Sequence, residues 1–242
     1  MKICLDPGHG GKDRWNTGPF GYVEADGVLD IALAAGKILE QYVEVIYTRK
    51  QDTNLPWENT SWRDLRARAN FANEQKCDYY ISIHTNAASP LSEGTETYCL
   101  QMGGQGEKLA KEIQKNLVTD LGLKDRGVKE GNFAVLRLTD MPAVLTEVAF
   151  HSNPKEAQLL MDTDFKNKAG SAIAKGVLNF LNIPFERQEI EKPWQQKTGE
   201  DAIDELAKSG IIANSKLWKD KDLINTPTPL WLFFEVVNRI KS

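Results

Sequence analysis

Ile3-Cys4-Leu5-Asp6-Pro7-Gly8-His9-Gly10-Gly11 is the stretch on which the fold of this chain turns. Its apolar start reads as a short buried strand over residues 2–5. Pro7 and three glycines then end it, a composition that neither continues a strand nor opens a helix. A strand end therefore hands the chain to a sharp turn carrying His9. The glycines around that histidine let the backbone approach a ligand closely.

Outward from this turn, short apolar runs alternate with helical periodicities along the 242 residues. A helix is predicted over 27–40, with Leu29, Leu33 and Ile38 among its apolar positions and Asp26 as its N-cap. A β-branched and aromatic run at 43–47 predicts a strand, and 62–75 a helix. Strands follow at 79–83 and 94–100, then a helix over 105–121 ended by Gly122. A weaker strand at 133–136 precedes one at 143–148, and helices close the pattern at 155–161 and 165–181. Strands alternating with helices predict an α/β fold, a mostly parallel twisted sheet with helices on both faces. A polar segment bounded by Pro184 and Pro193 reads as a linker. The expected organisation is a catalytic domain at 1–183, a linker at 184–193 and a small helical module at 194–242, with helical patterns at 201–209 and 229–240.

Composition removes several classes of partner. The hydrophobic fraction of 41% is enough for a core, and a net charge of -4 argues against nucleic acid. No apolar run approaches the ~18 residues of a membrane span. Met1-Lys2 leads directly into Ile3-Cys4-Leu5, which leaves no hydrophobic region for a signal peptide. The expectation is a protein made in the cytoplasm, or a trimmed secreted form. Cys4, Cys77 and Cys99 are far apart and lack paired spacing, so they read as small buried residues.

The polar residues at the strand ends carry the chemistry. In an open α/β sheet, ligands bind beyond the carboxyl ends of the strands. The first strand runs into His9, the strand at 79–83 into His84-Thr85-Asn86, and Val144-Leu145-Thr146 into Glu147. A single histidine after a strand is ordinarily a structural hydrogen-bonding residue. Two of the chain's three histidines and an acid converging on one edge suit a metal. Two histidines, one carboxylate and an open fourth position are the ligand set of a catalytic zinc. His9 and His84 are the first two candidates; Glu24, Glu147 and His151 lie near enough in sequence order to supply the third. Glu24 is assigned to the metal, which leaves Glu147 to face the attacking water as general base. A carboxylate flanked by apolar residues, as Glu147 is, costs free energy unless it is paired or used.

These residues resemble the zinc-dependent N-acetylmuramoyl-L-alanine amidases that cleave peptidoglycan. The resemblance covers about residues 2–181. It rests on Leu5-Asp6-Pro7-Gly8-His9-Gly10-Gly11, on Ile81-Ser82-Ile83-His84-Thr85-Asn86-Ala87, and on Pro142-Ala143-Val144-Leu145-Thr146-Glu147-Val148-Ala149-Phe150. Tyr47-Thr48-Arg49, and Leu65 with Arg68, Ala72 and Asn73, are weaker matches. The resemblance implies a twisted six-stranded sheet, one zinc ion on His9, Glu24 and His84, and a catalytic Glu147. It implies hydrolysis of the amide between the lactyl group of N-acetylmuramic acid and L-alanine. His151 after Phe150, and Ala25 after Glu24, depart from the common pattern. Some members carry an extra helix that blocks the zinc; here only 122–131 bridges the long helix and the next strand pattern, so an unobstructed site is expected.

The tail segment Asp201-Ala202-Ile203-Asp204-Glu205-Leu206-Ala207-Lys208-Ser209-Gly210 looks faintly like the first helix of surface-layer-homology wall-binding modules. A helical hairpin that packs on the catalytic domain or makes a homodimer is the alternative. The expected partner is peptidoglycan, with a wall polymer for the tail, no nucleic acid and no membrane. An amidase of this layout resembles a phage or prophage endolysin, with a bacterial autolysin or sporulation amidase, or a zinc peptidase, as alternatives.

Overall fold

The computed structural model describes residues 1–53 and 61–185, with Asp204, Ala207 and Lys208 as isolated positions beyond them. The chain divides into two compact units, Met1–Phe185 and Glu186–Ser242. Apart from those three positions, residues 186–242, including most of the expected linker and the expected helical module, lie outside the described residues.

The first unit alternates strands and helices. Strands β1 (Lys2–Pro7), β2 (Glu44–Tyr47), β3 (Tyr79–Asn86), β4 (Thr95–Cys99), β5 (Asp125–Glu130) and β6 (Ala143–Phe150) form one sheet in the order β2-β1-β3-β6-β4-β5. Strand β1 pairs in parallel with β2 and β3, and β3 with β6. Strand β4 turns antiparallel against β6 and carries β5 parallel to itself. The α/β class, the six strands and the mostly parallel pairing are as expected.

Helices α1 (Glu24–Leu39), α3 (Gln105–Leu121) and α6 (Thr163–Phe180) pack together on one face. Their apolar residues join Ile3, Leu5, Ile81, Ile83, Val144 and Val148, alternate positions of the central strands. In α1 the buried positions Ala25, Val28, Ile31, Ala32, Ala35 and Leu39 trace one helical stripe. Gly170 of α6 allows its contact with α1, because a Cβ there would stand 2.6 Å from Ile31 O. Helices α2 (Ser61–Glu74) and α4 (Ala134–Leu138) pack together on the other side. That face holds Cys4, Tyr80, Ala143 and Leu145, the intervening strand residues. Helix α5 (Pro154–Met161) is capped by Asn153, whose side chain accepts from the amides of Lys155 and Glu156. All three cysteines are free and buried.

Three local expectations are corrected. The run at 133–136 is the start of α4, a helix, because a short apolar run carries no period that separates the two states. The bridge at 122–131 contains β5, an edge strand whose register with β4 supplies what its polar sequence does not. Asp26 is not the N-cap of α1: Val23 is, without a side-chain cap, and Glu24 is the first helical residue.

Candidate active site

Strand β1 ends at Pro7, and His9 follows in a left-handed conformation, φ 59°, that residues other than glycine rarely adopt. Two buried arginines clamp that turn. Arg49 donates from Nε to Pro7 O at 3.0 Å and from Nη2 to Gly8 O and Ala25 O, both at 2.7 Å. Arg68 donates to Pro7 O at 2.9 Å and to His9 O at 2.7 Å. These are residues of the two weaker sequence matches, and their work is to hold a strained backbone. Gly8 lets the turn lie on the His84 ring, since a Cβ there would come within 2.1 Å of His84 Cε1.

The anchor beneath the turn is Asp6. Thr48 Oγ1, Tyr80 OH and Ser82 Oγ donate to it at 2.6, 2.6 and 2.8 Å, and Arg68 Nη1 at 2.8 Å. Burial pushes its pKa up, but the Arg68 charge and these hydrogen bonds outweigh that and hold it well below the usual carboxylate range.

Glu24, almost fully buried in the first turn of α1, stands between the two histidines. Its Oε1 is 3.0 Å from His84 Nδ1 and accepts from the Thr85 amide at 2.9 Å; its Oε2 is 3.3 Å from His9 Nε2. The rings of His9 and His84 meet edge to face at 4.9 Å. One donor atom from each of His9, Glu24 and His84 lies within 4.8 Å of the others. Burial raises the Glu24 pKa, but the two imidazoles lower it more, leaving it well below the ordinary range. The three expected ligands are therefore brought together.

His9 Nδ1 lies 2.8 Å from Asp13 Oδ2, and Asn16 Nδ2 lies 3.1 Å from His9 Nε2. The sequence reading missed Asp13, although its place four residues after His9 was the available signal. His151 lies in the turn that follows β6, and its side chain is buried. Its Nδ1 is 3.0 Å from Thr85 Oγ1 and 3.9 Å from Glu24 Oε2, and burial lowers its pKa.

Glu147 on β6 is the register partner of His84 on β3 and of Glu96 on β4, so the three stand on one face of the sheet. Its Oε2 is buried with no hydrogen-bond partner. Burial first, then the Glu24 and Glu96 charges, push its pKa well above the ordinary carboxylate range. A carboxylate with an unpartnered oxygen and a raised pKa suits general acid–base catalysis. Glu96 was also missed; a charged residue at a buried position of a short strand was the sign of it.

Residues 3–179 match the family model described as N-acetylmuramoyl-L-alanine amidase. The endolysin of Bacillus phage SPP1 is 36% identical over 187 residues, covering 75% of this chain and 66% of that protein. The N-acetylmuramoyl-L-alanine amidase LytC of Bacillus subtilis (strain 168) is 35% identical over 182 residues, covering 74% of this chain and 35% of that protein. The alignments thus span 66% of the endolysin's length and 35% of LytC's. Among solved structures, the catalytic domain of CwlV, an N-acetylmuramoyl-L-alanine amidase from Bacillus (Paenibacillus) polymyxa var. colistinus, has a TM-score of 0.68 at 36% identity. That match covers 76% of this chain and 99% of that one.

Proposed function

The chain belongs to the N-acetylmuramoyl-L-alanine amidase family, and from that premise we propose that it hydrolyses the amide between N-acetylmuramic acid and L-alanine in peptidoglycan, with one zinc ion on His9, Glu24 and His84 and with Glu147 as general base. The observation that carries the reading is one buried carboxylate between two imidazoles, beside a second carboxylate with an unpartnered oxygen. The donor set fits: two nitrogens and one oxygen are three protein ligands, and a catalytic zinc held by three would keep a further position for substrate or water. The two imidazoles are partly exposed, at 15% and 17%, so that position is reachable. Bound zinc supplies Lewis-acid polarisation of the scissile carbonyl and acidifies the attacking water.

The chain's own residues do the rest. Asp13 holds the proton on His9 Nδ1 and turns Nε2 towards Glu24. Thr85 fixes the Glu24 carboxylate through its amide. Glu147 accepts a proton from water as its oxygen attacks the lactyl carbonyl carbon, then returns one to the alanine nitrogen as the C–N bond breaks. The products are a lactyl carboxylate and a free alanine amino group.

Lysis of the wall as a phage or prophage endolysin is the setting we assign, supported by the phage relative. The near-equal identity to LytC supports a bacterial setting as the alternative. The segment at 194–242 would then hold a wall polymer or pair two copies. No helix among the described residues is long and apolar enough to cross a membrane.

The test is to digest purified walls with wild-type protein and with Glu147→Gln, and to identify the amino termini that appear. Alanine termini from wild type alone are the expected result. Termini of another residue would turn the reading to a wall peptidase, and no termini at all would end it.

A further inference from the structure

Strand β4 places Glu96 beside Glu147, and the Glu96 carboxylate is saturated. Asn86 Nδ2 and Tyr98 OH donate to its Oε1 at 2.6 and 2.8 Å. Arg126 Nε donates to Oε2 at 2.7 Å, and Lys129 Nζ donates to the same oxygen. The glutamate side chain is 3% exposed, whereas Arg126 and Lys129 are 31% and 38% exposed. One negative charge therefore faces two positive ones, and the surplus lies on the solvent side. One cation would neutralise Glu96; the second is more than the buried acid needs. Each cation also has donors to spare, because an ammonium carries three and a guanidinium five. Stacking of Arg126 over the Phe150 ring, 4.8 Å from its centroid, keeps its guanidinium in place.

The register sets where this surplus charge stands. Lys129 of β5 pairs with Tyr98 of β4, Glu96 of β4 with Glu147 of β6, and Glu147 with His84 of β3. At about 4.8 Å per strand, the β5 row lies on the order of 10 Å from Glu147. An extended peptide covers that span in about three residues, and a side chain as long as lysine or arginine shortens the distance it must cover. A cationic rim at that reach suits the side of the substrate that carries carboxylates. The sugars are N-acetylated and uncharged there, so that side is the peptide.

We propose that Lys129 and Arg126 form a carboxylate subsite on the peptide side of the scissile amide, selecting stem peptides whose residue after the alanine keeps a free carboxylate. This rests on the amidase reading. Glu96 is the positioning residue that aligns the two cations, and Lys129 is the more exposed contact.

The test uses uncrosslinked peptidoglycan strands whose second stem residue carries either a free carboxylate or a carboxamide, and compares kcat/KM for alanine release. Wild type is expected to favour the carboxylate about tenfold, the scale of one hydrogen bond to a charged group. Lys129→Met should bring the ratio of the two substrates towards one, mainly through KM, and Lys129→Arg should preserve it. Thermal melting reports whether each variant is folded. A wild-type ratio of one overturns the subsite whatever the variants do, and so does a ratio that Lys129→Met and Arg126→Met both leave unmoved. Failure of wild type to release alanine from either strand would instead overturn the amidase reading beneath it.

Discussion

Asp6 and Glu147 are two carboxylates on the same face of one sheet, and the structure treats them in opposite ways. Asp6 at the end of β1 takes hydrogen bonds from Thr48, Tyr80, Ser82 and Arg68. Glu147 on β6 keeps an oxygen with no partner at all. Accordingly the Asp6 pKa falls and the Glu147 pKa rises. A saturated carboxylate holds structure, here the turn that presents His9. A bare one costs stability, and the proposed proton transfer is what it would be kept for.

The sharpest way to break this comparison is Glu147→Gln. It should lower amide turnover by about 10²–10⁴-fold while the thermal midpoint does not fall, measured by alanine release and by melting. A large drop in midpoint would place Glu147 with Asp6 as structural. Next in size, Asp6→Ala leaves buried Arg68 with Asp64 but without Asp6, strips the Thr48, Tyr80 and Ser82 hydroxyls of their acceptor, and should cost about 3–5 kcal/mol of stability in urea unfolding. A loss below about 1 kcal/mol would remove the anchor from the account, since even one ordinary hydrogen bond contributes that much. Asp13→Asn should weaken zinc binding about 10–100-fold, read by competition with a chelator; unchanged affinity would mean that Asp13 does not orient His9.

The smallest effect is on pH dependence. The folded-state pKa of Asp6 is depressed, so its stabilising contribution is complete above the unfolded value of about 4 and is lost as pH falls below it. Urea midpoints at pH 7 and pH 3 should therefore separate further for wild type than for Asp6→Asn. Equal separations would show that Asp6 is not held in its charged form.

Much of the frame was legible because its signals are local. The apolar run at 3–5 stopped by Pro7 located β1, and the long periodicity closed by Gly122 located α3. Strand β5 was not legible: Asp-Arg-Gly-Val-Lys-Glu has one apolar residue, and pairing with β4 makes it a strand. The first turn of α1 was misread because nothing in sequence marks Val23 as its N-cap. At the site, His9 and His84 stood out as strand-end histidines. Glu24 did not, because an acid in a helix's first turn is ordinary; its proposed role as a third donor depends on a fold that brings it between two imidazoles 15 and 60 residues away. The clamps from Arg49 and Arg68 and the Glu96 cluster are likewise long-range contacts that no periodicity carries.

The central claim is that three donors hold a metal while Glu147 stays free beside them. Diffraction from zinc-loaded crystals on either side of the zinc absorption edge tests it directly. The account predicts one anomalous peak, bonded to His9, Glu24 and His84, with the Glu147 carboxylate outside bonding distance. A peak that lacks any of the three, or one with Glu147 among its ligands, would contradict it.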